Sequence, residues 1–334
     1  MGPKFKQKIY NLLFHSVSAS TTLQLRWNTT GTTVAGVGSY FASLTSRLNT
    51  PGMIAFNSSS SLYIADQGDH RVQAWNVGDS LGTTVAGQPN GVSGSTSISL
   101  NQPSGVYVDS SNNVYVADTN NHRIQLWTYG ALSGTTVAGT GSSGSALNQL
   151  NSPQGLSFGS NSTILYIADT SNHRIMSYAS GAYNGTVVAG GNGQGTLTNQ
   201  LSNPCAVYFD SSSNSLLIAN SGAHTIVRWV IGSSGWTLVA GVAGNYGSTT
   251  WMLSYPQGLT LDSTGNIYVA DSGNHRVQFF LSGQKNGTTI AGVTSASGSL
   301  SNLLSNPHSL LLDQQLNLYV SDSSNHRIQM FVRY

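Results

Sequence analysis

The feature that most constrains the fold of this chain is a fourteen-residue segment that occurs six times at a nearly constant interval. Each copy contains one histidine, and successive copies of this histidine are 52, 51, 51, 51 and 51 residues apart. Units of this length cannot bury an apolar face alone, so they must stack on one another. The copies are LYIADQGDHRVQAW (62–75), VYVADTNNHRIQLW (114–127), LYIADTSNHRIMSY (165–178), LLIANSGAHTIVRW (216–229), IYVADSGNHRVQFF (267–280) and LYVSDSSNHRIQMF (318–331).

Each unit contains four short segments in which apolar residues alternate or form runs, bounded by Gly, Asn and Ser, which is typical of β-strands. In the second unit they are GVYVD (105–109), VYVAD (114–118), RIQLW (123–127) and TTVAG (135–139). Four-stranded units that repeat around a ring are the blades of a β-propeller. We therefore predict an all-β fold: a six-bladed β-propeller of four-stranded antiparallel blades, forming a single domain over residues 23–334.

The composition agrees with this prediction and excludes several alternatives. Only 7% of the residues are charged and none is Glu, whereas helix surfaces draw on Glu, Lys and Arg. The formal net charge of +2 does not provide the basic surface typical of nucleic-acid binding. A single cysteine, Cys205, excludes an internal disulfide framework, and we expect a small buried apolar group there. No apolar run is long enough to predict a transmembrane segment.

The ends of the repeat region predict how the ring closes. In each complete unit, twelve residues lie between the aromatic that ends the third strand and the end of the fourth strand, as in 128–139. Only residues 332–334 follow Phe331, and the segment 28–36 supplies the nine residues that are missing. We therefore expect 28–36 to form the outermost strand of the sixth blade, which hides strand edges that an open stack would expose.

The order of strand, Asp, turn, Asn-His-Arg and strand resembles the NHL-repeat family, which is named after those three residues. All six units keep the histidine, and four keep the Asn, at positions 121, 172, 274 and 325. The resemblance extends over residues 28–334 and implies a propeller fold. It implies no single function, because propellers of this family serve in RNA binding, extracellular recognition, sensor domains and an amidating-type lyase.

Five units place an Asp at the end of the second strand and an Arg five residues later. The Asp can accept N–H bonds from the turn, and the Arg can pair with an Asp of its own or a neighbouring blade. Because the pair recurs at equivalent positions, we predict a structural ladder rather than a catalytic pair. The fourth unit replaces both members together, with Asn220 and Thr225. The ladder comprises Asp66, Arg71, Asp118, Arg123, Asp169, Arg174, Asp271, Arg276, Asp322 and Arg327.

Few titratable groups remain for catalysis once the repeat is accounted for. Four further Asp residues close first strands, which leaves only Asp69 and Asp79 outside the pattern. His15 and His308 are the unrepeated histidines, and His308 follows the proline that begins its unit. We predict no catalytic residue, no metal-ligand residue and no cofactor. The one alternative is a structural calcium ion held by Asp and carbonyl oxygens in the channel.

The loops that lead into the first strands are expected to be ordered and to carry recognition. A leucine three residues before the proline of each unit is predicted to plug the gap between blades. Long loops on a rigid scaffold often carry binding function, and aromatic residues are enriched at binding hot spots. Two of these loops contain aromatic residues that the other units lack, with packing between blades as the alternative role. The predicted binding residues on this loop face are Tyr40, Phe41, Gln154, Tyr246, Trp251, Tyr255, Gln257 and His308.

These observations predict a non-catalytic recognition or structural scaffold that binds a protein or glycan partner through its loop face. A hydrolase or lyase at the channel mouth near His308 is one alternative. The lyases that the resemblance suggests hold zinc with several unrepeated histidines and an acid, which His308 alone cannot supply. An RNA-binding propeller is the second alternative. It is disfavoured because the cations outside the repeat are sparse and scattered.

Residues 1–22 match no blade and are interpreted as a leader. Lys4, Lys6 and Lys8 precede an apolar stretch and small residues, an order similar to a degenerate signal peptide. A non-native start or a fragment of a longer chain is the alternative. The low-charge surface, rich in Ser, Thr and Asn, favours an extracellular or secreted glycoprotein, although the number of N-x-Ser/Thr sequons is no greater than chance produces.

Overall fold

The computed structural model describes residues 26–36, 44–160 and 163–334, and confirms the predicted fold of a six-bladed β-propeller. Each blade is an antiparallel sheet of four strands in sequential order. The first strands of neighbouring blades contact one another around the whole ring, from blade one through blade six and back to blade one. The predicted leader, residues 1–22, lies outside the described residues.

The strand bounds follow the repeat closely. The first strand of the chain is β1 (Thr32–Ala35). Blade one contains β2 (Pro51–Phe56), β3 (Leu62–Asp66), β4 (Arg71–Trp75) and β5 (Thr83–Gly87). Blade two contains β6 (Gly105–Val108), β7 (Val114–Asp118), β8 (Arg123–Trp127) and β9 (Thr135–Gly139). Blade three contains β10 (Pro153–Phe158), β11 (Ile164–Asp169), β12 (Arg174–Ala179) and β13 (Thr186–Gly190).

The remaining blades have the same layout. Blade four contains β14 (Pro204–Asp210), β15 (Ser215–Asn220), β16 (Thr225–Val230) and β17 (Trp236–Gly241). Blade five contains β18 (Pro256–Leu261), β19 (Ile267–Asp271), β20 (Arg276–Phe280) and β21 (Thr288–Gly292). Blade six contains β22 (Pro307–Leu312), β23 (Leu318–Asp322) and β24 (Arg327–Phe331), with β1 as its fourth strand.

A short 3₁₀ turn joins the second and third strands of every blade. The repeat histidine ends each turn and has a positive φ between 52° and 59°. This left-handed conformation is uncommon for residues with a side chain, and His, Asn and Asp adopt it more readily than most. The turns are Gln67–Asp69, Thr119–Asn121, Thr170–Asn172, Ser221–Ala223, Ser272–Asn274 and Ser323–Asn325. We call the end of the ring that carries them the loop face.

The N-terminal segment closes the ring, as the residue count predicts. Strand β1 pairs with β24 in an antiparallel ladder that places Thr32 opposite Met330. Before this strand, the Asn28 N–H donates to the Val332 carbonyl at 2.8 Å. The Trp27 ring packs edge-on against Tyr268 of blade five, with 5.6 Å between ring centroids. The last blade is therefore completed by residues from the opposite end of the chain.

The apolar core lies in the seams between blades rather than at the centre of the ring. The seam between blades six and one contains Ala35 and Ile328 on one side and Ile64 and Trp75 on the other, with Leu48 among them. Each of the other five seams contains the equivalent leucine, and all six leucines have no exposed surface. They are Leu48, Leu100, Leu150, Leu201, Leu253 and Leu304.

Among the described residues, no helix is long and apolar enough to span a membrane.

Truncating one seam leucine should destabilise the whole ring. We expect Leu150→Ala to lower the free energy of unfolding by about 2–5 kcal/mol, because it opens a cavity between blades two and three. Leu147→Ala is the matched control, since that side chain lies in the same loop but is 50% exposed. Urea unfolding of both variants measures the difference, and equal losses would contradict the plug role of Leu150.

Candidate binding site on the loop face

Each ladder Asp forms an ion pair with the Arg of its own blade, so the pair does not bridge blades. In blade two the Arg123 Nε donates to Asp118 Oδ2 at 2.8 Å, across the ladder of β7 and β8. The other oxygen, Asp118 Oδ1, accepts the backbone N–H of Asn101 at 2.7 Å. The same Asp–Arg pair forms, at 2.7–2.9 Å, in the other four blades that keep both residues.

The guanidinium groups fasten the loops that lead into the blades. In blade five, Arg276 Nη1 donates to the Ser248 carbonyl and Nη2 to the Thr249 carbonyl, each at 2.9 Å. Asn274 donates from Nδ2 both to the Gly247 carbonyl and to Asp271 Oδ2, at 2.8 Å. Loop carbonyls that have no strand partner are thereby satisfied, which holds the loop against its own blade.

Burial raises the pKa of the ladder Asp residues, and the hydrogen bonds from their partners oppose that rise. For Asp66, burial raises the pKa to about 6 although the Asn49 N–H and Arg71 both lower it. The pKa of Asp118 is also raised by burial, against the bonds from Asn121 and Arg123. Removing a ladder Arg would therefore leave its Asp buried without its cationic partner, one of the groups that favour the ionised form.

Blade four retains the loop contact without the charges. Asn220 Oδ1 accepts the Ser202 N–H at 2.6 Å, as the Asp does elsewhere. The Asn220 Nδ2 and Thr225 Oγ1 atoms are buried and have no partner in the described part of the chain. An uncharged pair thus keeps the loop anchor while avoiding an unpaired buried charge.

This comparison predicts an asymmetric double-mutant result in blade two. Arg123→Thr alone should lower the free energy of unfolding by about 3–5 kcal/mol, because it leaves Asp118 buried and uncompensated. The double variant Asp118→Asn with Arg123→Thr copies blade four, and we expect it to recover a large part of that loss. Chemical denaturation measures both variants, and a double variant no more stable than Arg123→Thr would contradict the role of the charge.

The repeat histidines form one set of hydrogen bonds between neighbouring blades, a role that the repeat pattern alone did not reveal. Each histidine Nδ1 accepts the backbone N–H of the residue before the proline of the next blade. His326 accepts from Thr50 at 3.0 Å and so joins blade six to blade one. The other links run from Gln102 to His70, Ser152 to His122, Asn203 to His173, Tyr255 to His224 and Asn306 to His275, at 3.0–3.2 Å.

These links require a neutral imidazole, because a protonated Nδ1 cannot accept a hydrogen bond. Burial lowers the pKa of His173 below its usual range, although the nearby Asp169 carboxylate raises it. The folded state therefore binds fewer protons than the unfolded state just below the ordinary pKa of about 6.5. The stability that this link contributes is present above that pH and is lost as the pH falls through the lowered pKa.

His173→Asn tests this pH dependence. Asn tolerates the left-handed conformation, and its Oδ1 lies at nearly the position of the imidazole Nδ1, so it can accept the Asn203 N–H but does not titrate. At pH 8 we expect the variant to match the stability of the parent, and at pH 5 we expect it to be more stable by up to about 1 kcal/mol, because protonation removes the acceptor only in the parent. Other titrating groups are common to both proteins, so urea unfolding at the two pH values isolates the histidine. A difference that does not change with pH would refute the link.

Three aromatic rings come together on the loop face at the seam of blades four and five. The His224 ring lies edge-on to Tyr255, with 4.4 Å between centroids, and to Tyr246, at 5.6 Å. His224 is almost fully buried, whereas Tyr246 is 69% and Tyr255 52% exposed. The Tyr255 backbone has a φ of 46° and is fixed by its bond to His224 Nδ1 at 3.2 Å. We call these three residues the aromatic trio.

Two of the other predicted binding residues lie on the first strands of their blades, one position after the proline that begins each strand. Gln257 Nε2 donates to the Ser221 hydroxyl at 3.3 Å, in the turn that precedes His224. Gln154 is half-buried in the first strand of blade three. Gln257 therefore adjoins the aromatic trio.

His308 lies on the first strand of blade six. Burial lowers its pKa to about 4, and its Nδ1 has no partner among the described residues. The backbone of blade five approaches it so closely that a Cβ at Gly258 would lie 2.7 Å from the His308 carbonyl. A neutral imidazole in this position is an acceptor rather than a cation.

The remaining aromatic residues are not part of the trio. Trp251 is 48% exposed, but the adjacent Thr250 carbonyl accepts the Gly287 N–H at 2.7 Å. Gly287 precedes β21 at the end of blade five away from the loop face, because Gly292 at the other end of β21 is opposite Arg276. The predicted residues Tyr40 and Phe41 lie outside the described residues.

The first strands of all six blades surround a central cavity of about 320 Å³. Its lining is largely apolar and includes Ile54, Val106, Leu156 and Leu310. Within the described residues, no group of three or more His, Cys and acidic side chains could hold a metal ion. The Cys205 thiol is buried, which raises its pKa to about 12, and it lies 3.2 Å from the Pro256 carbonyl of the next blade.

Comparison with known proteins agrees with the repeat and the fold. The NHL repeat profile matches residues 100–126, 253–280 and 304–331. NHL repeat-containing protein 2 of Bos taurus is 28% identical over 84% of this chain, and the chain spans less than half (46%) of the length of that relative.

Solved structures with the same fold have varied names. An auxiliary nutrient binding protein from Bacteroides ovatus superposes with a TM-score of 0.68 at 15% identity, covering 93% of this chain and 78% of its own. A virginiamycin B lyase from Staphylococcus aureus superposes with a TM-score of 0.51 at 13% identity, covering 84% of this chain and 79% of its own. At such identities the likeness shows the fold alone.

Proposed function

Because this chain is an NHL-repeat protein, we propose that it is a non-catalytic recognition scaffold that holds a protein partner on its loop face. The observation that carries the proposal is the aromatic trio. Two exposed tyrosine rings pack against the buried His224 ring, and the same imidazole accepts the Tyr255 backbone N–H. Rigid aromatic anchors of this kind contribute most of the binding energy in many protein interfaces.

The local chemistry favours a protein partner over an ionic small molecule. Burial lowers the pKa of His224, so the trio is uncharged near neutral pH. Gln257 beside it offers an amide that can donate and accept hydrogen bonds. An uncharged aromatic surface with an adjacent amide resembles the centre of a protein interface, which is poor in charged residues.

The ring also offers little support for RNA binding. Arg228 is one of the few cations outside the repeat, and it is paired with Asp210 in blade four. The ladder arginines are buried in their own pairs and loops. Phosphate contacts dominate the affinity of nucleic-acid binding, and such contacts need exposed cations.

Binding assays on arrays of extracellular protein domains and of glycans would identify the partner. We expect Tyr246→Ala with Tyr255→Ala to weaken binding of a protein ligand at least tenfold, because each exposed tyrosine can contribute about 2 kcal/mol. Tyr183→Ala is the matched control, since Tyr183 is 75% exposed and lies in the turn before β13, away from the loop face.

Three results would contradict the proposal. The first is a protein ligand whose affinity is unchanged in the double variant. The second is a glycan that binds the loop face in place of any protein. The third is a ligand that is chemically converted, with conversion lost in His308→Ala, which would favour the channel-mouth enzyme.

A further inference from the structure

A second unusual surface lies on the opposite side of the ring, between blades one and two. Tyr129 lies in the turn between β8 and β9, at the end of blade two away from the loop face, and is 77% exposed. Its backbone N–H donates to Asn113 Oδ1 at 3.0 Å, which ties the turn to the neighbouring strand connection. The ring is therefore presented to solvent from an anchored turn.

Two cavities of about 350 and 330 Å³ adjoin this ring. Both are lined by Tyr63, Asn112 and Tyr129, so Tyr129 stands between them. The larger cavity is bordered by Trp127 and by Leu132, whose side chain is 93% exposed. We call the two cavities together with Tyr129 the Tyr129 groove.

The smaller cavity is lined mainly by amides and hydroxyls. Asn57 Nδ2 donates to Asn112 Oδ1 at 3.1 Å and thereby connects the two blades. Asn76 donates to Asp79 Oδ2 at 2.9 Å and accepts from the Ser61 hydroxyl at 2.8 Å. These bonds hold the amides and the carboxylate in fixed positions along the wall of the cavity.

Neither Tyr129 nor Asp79 is required by the repeat. The five residues equivalent to Tyr129, two positions after the end of the fourteen-residue repeat segment, are Val77, Ser180, Ile231, Ser282 and Arg333. Asp79 is one of the two Asp residues outside the repeat pattern, and it is the one charged residue that lines the Tyr129 groove. Folding therefore gives no reason for an exposed tyrosine and a carboxylate at this seam alone.

We propose that the Tyr129 groove binds a neutral oligosaccharide. A sugar ring has an apolar C–H face that can pack on the electron-rich face of a tyrosine ring. Its hydroxyl groups can donate to the Asp79 carboxylate and to amide oxygens, and can accept from amide N–H groups. Two adjoining cavities of this size suit a chain of several sugar units. A single negative charge with no cation in the lining opposes a phosphorylated or sulfated ligand.

The test uses an array of neutral and acidic oligosaccharides as the probe, followed by calorimetry with the neutral oligosaccharide that gives the strongest signal. We expect Tyr129→Ala to weaken binding about tenfold or more, and Asp79→Ala to do the same by removing a charge-assisted hydrogen bond. Both positions are on the surface, so the melting temperature should be unchanged. The controls are Tyr183→Ala, which removes an exposed tyrosine from blade three, and the Tyr246→Ala/Tyr255→Ala double variant, which alters the loop face.

The outcomes separate this site from the loop face. Binding that is lost in the Tyr129 and Asp79 variants but kept in both controls supports the Tyr129 groove. Absence of signal from every neutral oligosaccharide overturns the proposal, as does a stronger signal from acidic ones. Loss of sugar binding in the loop-face variant, with Tyr129→Ala unaffected, also overturns it and assigns the sugar to the other face.

Discussion

The structure depends on the burial of six apolar seams between neighbouring blades. No blade has a core of its own, since each cluster of buried residues draws mainly on two adjacent blades and one loop leucine. A blade at an open end would expose one apolar face to water. All of the apolar faces can therefore be buried only in a closed ring. The pairing of β1 with β24 provides that closure and makes the first and last parts of the propeller mutually dependent.

The polar repeat residues on the loop face also stabilise the seams. The seam leucines lie in loops that the ladder arginines hold in place by donating hydrogen bonds to the loop carbonyl groups. The histidines then join each turn to the next blade through a backbone N–H. Blade four shows which part is essential, because Asn220 keeps the loop anchor while the charge pair is absent. The ion pairs therefore satisfy buried groups rather than supply a large net attraction.

The sequence was sufficient to predict what depends on period and alternation. The 51-residue interval predicted six blades, the period of apolar residues predicted the strands, and the residue count at the chain ends predicted closure by 28–36. It was not sufficient to predict features that depend on the path of a loop in the folded structure. Trp251 and Tyr246 belong to one loop, yet the structure separates them because the loop runs down the side of its blade. The histidine links were also hidden, because a bond to a backbone N–H in the next blade leaves no partner residue type to recognise.

The division between repeated and unrepeated residues distinguishes two seams of the ring as candidate binding surfaces. A residue that occurs at the same place in every blade is sufficiently explained by folding, as the Asp–Arg pairs and histidines are. A polar or aromatic residue that occurs once has no such explanation, and if its side chain is exposed, packing of the core does not explain it either. His224 is a repeat residue, but among the described residues its imidazole is the one that two exposed tyrosines surround. Tyr129 and Asp79 have no counterparts at the other seams, and both lie on the face opposite the aromatic trio. A rigid ring that carries distinct surfaces on its two ends can hold two ligands at once, since neither surface shares a residue with the other.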